Sequence, residues 1–389
     1  MFTLVFDAYS SEVYTINDVF SMAIQKAERL KISEEDVLIA EFGKDKAYSN
    51  LIPKLSVFGG FTKYSEAKYS LGSTVIQADR AYSYGLRLDQ TYSIAGKEFK
   101  LYDLSKENLA KTRFDSLSIS NDYLLNVANA FYDALKAQRY VQIAKSNLER
   151  LEKHKRAAEI RLKVGEITKT ALLRAEAELS GARTELIKAE NNLKLSKAFL
   201  SRLVGITSEY ELKTVESEES EEILKLSNEG LHLLQSQALL NRSELQSALL
   251  QKRMTERQIK IAETAYYPSI SLEGAYTKAG MDPESVSMVK ETLYGAIRVN
   301  FPLIEGGMRR AEVREAEAKG RQANLLVEDT KKSVLIDVQR AYLDFLTNRD
   351  SLKSIQDQVT FARDNYNAVS RQFEHGLANS IDVMDANNL

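Results

Sequence analysis

The sequence predicts a mainly α-helical chain with a smaller β portion: long antiparallel helical hairpins joined to four strands. Three observations carry that expectation. Proline occurs only at positions 53, 268, 283 and 302, so residues 54–267 and everything after Pro302 are free of it. Proline inside a helix costs about 3 kcal/mol, so both tracts can support very long helices. Within them apolar residues recur with a seven-residue period, and between them short segments alternate apolar and polar residues.

The helices come first. Leu172, Leu179, Leu186, Leu193 and Leu200 fall every seventh residue, with Ala175, Ala182, Ala189, Ser196 and Leu203 between them, which is a heptad seam. The preceding tract has its own: Leu124, Val127, Phe131, Ala134, Val141, Ala144, Leu148, Leu151, Ala158 and Leu162, interrupted by Gln138 and Lys155. Gly165 and Thr168 separate the two as a helix stop and a new N-cap. The expected hairpin pairs helices 97–163 and 168–203. At ~1.5 Å per residue the first is on the order of 100 Å long.

An internal repeat follows. Shifting the chain by 211 residues aligns 127–178 with 338–389 without a gap. Val127, Ala130, Asp133 and Leu135 meet Val338, Ala341, Asp344 and Leu346; Ala157, Gly165 and Ala175 meet Ala368, Gly376 and Ala386. Heptads alone could align apolar positions by chance, but not both glycines and both aspartates. The expected organisation is a first structural repeat over 1–205, an acidic linker over 206–230, and a second repeat over 231–389 whose hairpin starts near 306. Residues 179–203 have no counterpart after Leu389, so the second hairpin reads as truncated. The run Glu216-Ser217-Glu218-Glu219-Ser220-Glu221-Glu222 reads as a solvated linker.

Strands are expected at about 54–64, 83–93, 268–278 and 294–302. Ile270, Leu272, Gly274 and Tyr276 alternate with Ser271, Glu273, Ala275 and Thr277, and Tyr84, Leu86 and Leu88 alternate with Gly85, Arg87 and Asp89. Ile297, Val299 and Phe301 alternate with Arg298 and Asn300. Such period-2 segments of about 9–11 residues match bilayer-crossing strands. Tyr64, Tyr82, Tyr92, Tyr266, Tyr267 and Tyr294 are expected to form an interfacial girdle at the strand ends.

Composition limits the function. A formal net charge of −2 supplies no basic field for nucleic acid, and the absence of cysteine removes disulfides, thiolate chemistry and a lipidated N-terminal cysteine. His154, His232 and His375 stand far apart without metal-ligand spacing, and no phosphate-binding glycine fingerprint occurs. Neither enzyme activity nor a cofactor is expected. No run approaches the ~20 apolar residues of a spanning helix, so membrane entry requires a β-barrel. The segment Met1-Phe2-Thr3-Leu4-Val5-Phe6-Asp7 lacks the features of a secretion signal.

Several stretches, in order, resemble the TolC-like outer-membrane efflux family. They are Asn241-Arg242-Ser243-Glu244-Leu245 leading through Ala262 to Tyr266-Tyr267-Pro268-Ser269-Ile270, the run from Val299-Asn300-Phe301-Pro302 through Gly306-Gly307 to Arg309-Arg310, and the tip motifs Gly165/Ala175 and Gly376/Ala386. The resemblance implies a homotrimer in which each protomer gives four strands to a twelve-stranded β-barrel in outer-membrane lipid. It implies long helices forming a periplasmic tunnel that docks, through the Gly165, Ala175, Gly376 and Ala386 motifs, on a periplasmic adaptor (membrane fusion) protein and an inner-membrane pump. Such a duct is passive and carries drugs, metals or polypeptides.

The same resemblance implies an aperture at the helix tips ringed by Asp382 and Asp385, with Thr170 and Phe373 beside it. Spaced i, i+3, the two aspartates share one helix face; read without the family, they are solvated acids near a helix N-terminus. Ala171 and Ala378 stand where family members can carry an Asp–Arg latch, and Phe373 stands where a tyrosine is frequent. That latch is therefore not expected. A soluble, elongated coiled-coil scaffold is the alternative; it explains the heptads but not the paired strand hairpins or the repeat.

Overall fold

A computed structural model describes residues 12–70, 74–213, 230–285 and 288–388. The acidic run at 216–222 lies outside them. The chain forms two compact units, each drawing on both halves of the sequence: Met1–Ile32, Ser118–Leu239 and Val334–Leu389 form one, Ser33–Leu117 and Leu240–Ser333 the other.

In the first unit, β1 (Glu12–Tyr14) pairs in parallel with β6 (Tyr210–Leu212), so part of the expected linker is strand. Helix α1 (Ile16–Lys26) starts at a capping box, in which the Thr15 amide donates to the Asp18 carboxylate at 2.9 Å and the Asp18 amide donates back to the Thr15 hydroxyl. Val19, Ala23, Ala27 and Leu30, from α1 and the start of α2 (Glu28–Ser49), reach the core. There they meet Val127, Phe131 and Ala134 of α3 (Lys97–Lys163) and Leu200 and Val204 of α4 (Lys169–Val204). Burying a Leu or Phe side chain contributes roughly 1.5–3 kcal/mol, so this cluster anchors the hairpin at its open end.

The heptad seams are the buried lines of the hairpin. Val141 and Ala144 meet Ala189, Leu151 meets Leu179 and Ala182, and Ala158 meets Ala175. Alanine at these crossings lets the backbones approach closely. Thr168 occupies the N-cap of α4 as expected, but its hydroxyl pairs with Thr170 (2.7 Å) and caps no amide. Helix α7 (Met308–Glu374) and the short α8 (Ser380–Asn388) form the second tip.

The second unit holds an antiparallel sheet of β2 (Lys54–Lys63), β5 (Arg80–Ser93), β7 (Ser269–Asp282) and β8 (Glu291–Asn300), in the order β2-β5-β7-β8. A small hairpin, β3 (Lys68–Tyr69) with β4 (Val75–Gln77), lies between β2 and β5. The ladders place Leu55, Val57 and Phe61 beside Leu88, Leu86 and Tyr82, and Ile270, Leu272 and Tyr276 beside Val299, Ile297 and Leu293. Over the middle of the sheet one face is therefore largely apolar across all four strands, with Lys278 and Glu291 paired at its far end. The alternate positions carry Ser56, Thr62, Arg87, Asp89, Glu273, Thr277, Arg298 and Asn300.

All four helical connections leave from one end of this sheet: α2 enters β2, β5 leads to α3, α6 (Ser243–Glu263) leads through a short 3₁₀ turn to β7, and β8 leads to α7. The α6 turn packs on α3, with Arg257 paired to Glu107 at 2.7 Å. Helix α5 (Leu231–Asn241) precedes α6. Among the described residues no helix is long and apolar enough to cross a membrane.

Candidate functional site

The candidate site begins at two helix stops that the sequence builds alike. At the end of α3 the Gly165 amide donates to the Leu162 carbonyl (3.1 Å) and the Glu166 amide to the Arg161 carbonyl (2.9 Å). At the end of α7 the Gly376 amide donates to Phe373 (3.1 Å) and the Leu377 amide to Gln372 (2.8 Å). This is the Schellman pattern at both tips, each using a glycine in the left-handed region (φ 78° and 74°). An L-residue there strains the backbone, which is why glycine stands at both turns.

The tips differ at the next helix start. At the second, the Asn379 side chain accepts from the Ile381 and Asp382 amides (2.7 and 3.1 Å), while Asp382 accepts from the Asn379 amide at 2.8 Å. Asp382 thus completes a capping box on α8, and its carboxylate remains exposed. Asp385 is exposed one turn later. At the first tip, the position equivalent to Asp382 is Ala171 and no such box forms.

Arg161 joins the two tips. Its guanidinium lies 3.8 Å from the centroid of the Phe373 ring and donates to the Phe373 carbonyl at 2.5 Å, with Glu166 at 3.9 Å. Phe373, only 7 % exposed, also packs against the His154 ring at 5.4 Å. Burial, and secondarily the Arg161 charge, holds the His154 pKa below the ordinary histidine value. Asn147, on α3, accepts from Asn387 of α8 at 3.0 Å. Between the tips is a cleft of about 710 Å³, lined by Arg161, Thr168, Ala171, Phe373, Ala378 and Asp382 among others.

The expected residues thus fall into three sets. Asp382, Asp385 and Thr170 are exposed at the tips, as are the turn glycines Gly165 and Gly376. Phe373 is inside the protomer. Ala175 and Ala386, expected as docking motifs, are 1 % and 6 % exposed: their methyl groups are spent on internal helix contacts, Ala175 against Ala158 and Met384. Arg161 was missed, although a basic residue in the last turn of a helix is a recognisable sequence signal.

The sheet, in the second unit, presents its own candidate surface. On its polar face Glu273 lies between Arg298 (2.9 Å) and Arg87 (3.6 Å), and Arg87 also pairs with Asp89 at 3.0 Å. Tyr294, expected in the interfacial girdle, instead sits within β8 opposite Ala275 and donates its hydroxyl to Glu273 at 2.6 Å. Its even position in β8 assigns it to the polar face. On the apolar face Val57, Leu293 and Ile297 are exposed, and neither β2 nor β8 has a partner on its outer edge among the described strands.

Comparison with known proteins agrees with this arrangement. The family model for outer membrane efflux proteins matches residues 21–206 and 234–389. The probable outer membrane lipoprotein SilC of Salmonella typhimurium is 23 % identical over 343 residues, covering 86 % of this chain and 71 % of SilC. The cation efflux system protein CusC of Escherichia coli is 21 % identical over 308 residues, covering 79 % of this chain and 66 % of CusC. The crystal structure of the outer membrane protein VceC from Vibrio cholerae superposes with a TM-score of 0.81 at 17 % identity, covering 96 % of this chain and 89 % of VceC. Apolar strands beside long helical hairpins, a matched family model and a shared fold leave no place for the soluble scaffold. The chain belongs to the outer membrane efflux protein family, as an exit duct whose strands lie in the outer membrane and whose helices form a tunnel in the periplasm.

Proposed function

We propose that three copies of this chain close a twelve-stranded barrel and a continuous helical conduit, which docks on a periplasmic adaptor and an inner-membrane pump and moves cargo passively. The observation that carries this reading is the four-stranded sheet with one apolar face and two unpaired edges. Unpaired backbone groups in lipid each cost several kcal/mol, so one protomer cannot remain in a bilayer with β2 and β8 open. Three protomers that pair β8 with the next β2 leave no edge.

The helices support the same assembly. Leu125, Tyr132 and Ile143 of α3, Ile187 and Leu195 of α4, and Leu325, Ile336 and Leu343 of α7 are exposed although apolar, on lines separate from the buried seams. Each helix of a tunnel wall has two lateral neighbours, and these second lines are the surfaces for the neighbours a single protomer lacks. The paired tips and the 211-residue correspondence support a duplication, with residues 1–205 and 231–389 as its halves.

Asp382 and Asp385 are the aperture residues in this reading. Threefold symmetry gathers their carboxylates around one opening, which concentrates cations there. Adaptor contacts fall on exposed groups near Gly165 and Gly376, such as Val164 and Leu377, and not on the buried Ala175 and Ala386. In place of the absent Asp–Arg latch, Arg161 holds the second tip through Phe373.

The test is to purify the protein from outer membranes, size it in detergent, and record single channels in a planar bilayer. A species of trimer mass, with cation preference reduced in Asp382→Asn and Asp385→Asn, is expected. Asparagine is chosen at 382 because it retains a cap acceptor. A monomer without conductance contradicts the assembly; a conducting trimer with unchanged selectivity in both variants contradicts only the aperture assignment.

A further inference from the structure

We propose that the turn between β8 and α7 is a phospholipid-binding site on the periplasmic rim of the barrel, taking an anionic headgroup at Arg310 and acyl chains along Leu303, Ile304 and Met308. The inference rests on the outer-membrane barrel reading and adds to it. The turn follows Asn300, the last residue of the β8 ladder, at the end of the sheet from which all four helical connections depart. That end is where a barrel meets the headgroup layer of the inner leaflet.

The turn is built to display apolar side chains. Arg309 donates to the Pro302 carbonyl and pairs with Glu305, and its guanidinium lies 5.6 Å from the Phe301 ring and 6.0 Å from the Tyr266 ring. Gly306 and Gly307 take left-handed φ values of 60° and 90°, completing a tight reversal. On this held frame Leu303 and Ile304 are 81 % and 92 % exposed, and Met308 is exposed beside them. Ordering two large apolar side chains in water gives no stability, so the frame points to an apolar occupant.

Two further observations choose lipid as that occupant. The apolar strip Leu293, Ile297, Val299 on one face of β8 runs to the end of the ladder at Asn300, and the turn follows directly from it through the exposed Phe301, so the turn extends the lipid-facing surface. Leu303, Ile304, Met308, Arg309, Arg310 and Tyr266 also line one shallow cleft of about 280 Å³. Glu305 is neutralised by Arg309, whereas Arg310 has no ion-pair partner among the described residues. An apolar edge, an aromatic ring and one spare guanidinium match an interfacial phospholipid.

The chain contains no tryptophan, so a single introduced tryptophan reports its own surroundings. Ile304→Trp and, separately, Leu303→Trp trimers are reconstituted into phosphatidylethanolamine–phosphatidylglycerol vesicles, with Leu293→Trp as the control on the barrel face. Quenching is read with phospholipids brominated at shallow or deep acyl positions and with aqueous iodide. The expected result is blue-shifted emission at 303 or 304, lost to shallow bromines and protected from iodide, with greater loss to brominated phosphatidylglycerol that Arg310→Gln abolishes. Iodide quenching at both positions overturns the proposal. So does protection from both quenchers, which places the turn against a neighbouring subunit. If Leu293→Trp also escapes the bromines, the barrel reading itself fails; if it alone is quenched, only the rim site does.

Discussion

Arg161 carries more of the tip than any other side chain, because one group satisfies a helix end, stacks on a ring and bridges two hairpins. A hydrogen bond from a charged donor contributes about 1.5–3 kcal/mol, and a partly buried cation–π contact about 0.5–2 kcal/mol. These terms are not additive, so Arg161→Ala is expected to cost the joined tips about 2–3 kcal/mol. Amide hydrogen exchange over residues 371–379 should rise, and Arg161→Lys should recover the charge but not the planar stack. Unchanged exchange in Arg161→Ala would remove the clasp. His154 gives the same contact a pH dependence. Its folded pKa is lowered, chiefly by burial and then by Arg161, so the folded tip binds fewer protons than the unfolded chain. Stability therefore rises with pH through this window: the full contribution is present above the ordinary histidine pKa of about 6.5 and is lost as pH falls below it. Tip exchange should quicken between pH 7.5 and 5.5, and His154→Gln should flatten that change. Equal acid sensitivity in both proteins would assign it elsewhere.

At the scale of elements, the strands are fixed by backbone proximity as much as by side chains. A Cβ on Gly85 would lie 2.0 Å from the Tyr276 carbonyl oxygen and 3.0 Å from the Phe58 ring, so β5 approaches β7 too closely for any other residue. Gly85→Ala must displace a ladder strand, and the yield of assembled trimer should fall severely, whereas Gly295→Ala, with open space around its Cβ, should assemble normally. Comparable yields from both would mean the ladder yields locally. Much of this architecture was legible in the residues. The proline-free tracts and heptads placed α3 and α4 to within a residue, because helices that long are specified by periodicity alone. Strand ends were less legible: β5 and β7 run to Arg80 and Asp282, past the alternating core, since ladder pairing extends a strand through residues with no pattern of their own. Helices α1 and α2 were missed, although Thr15 and Asp18 form a capping box and Val19, Ala23, Ala27 and Leu30 lie at helical spacing. The Arg161–Phe373 contact could not be read at all, because it joins positions 212 apart whose meeting depends on how two hairpins pack.

For the whole molecule, the decisive property is that one face of the sheet must meet lipid and the other water. Alternation makes this a strong claim, since neighbouring residues on one strand must respond oppositely to the same substitution. Val57 and Ser56 are adjacent on β2, both exposed in the protomer, and differ only in the face they occupy. An arginine at the lipid face near mid-bilayer costs about 2–4 kcal/mol per site, and symmetry repeats that cost in every copy. Val57→Arg should therefore suppress trimer assembly in the outer membrane, while Ser56→Arg should assemble and alter only conductance. The measurement is the fraction of heat-dissociable trimer in fractionated envelopes, with Leu293→Arg and Thr292→Arg on β8 as an independent pair. If the sheet instead packed against another protein in water, Val57→Arg would shift solubility or partner binding without this strict alternation. Opposite outcomes at consecutive positions on both edge strands are expected of a closed barrel with a wet interior, because that arrangement puts Leu55, Val57 and Phe61 of β2 and Leu293, Ile297 and Val299 of β8 in hydrocarbon and Ser56, Thr62, Thr292 and Arg298 in water.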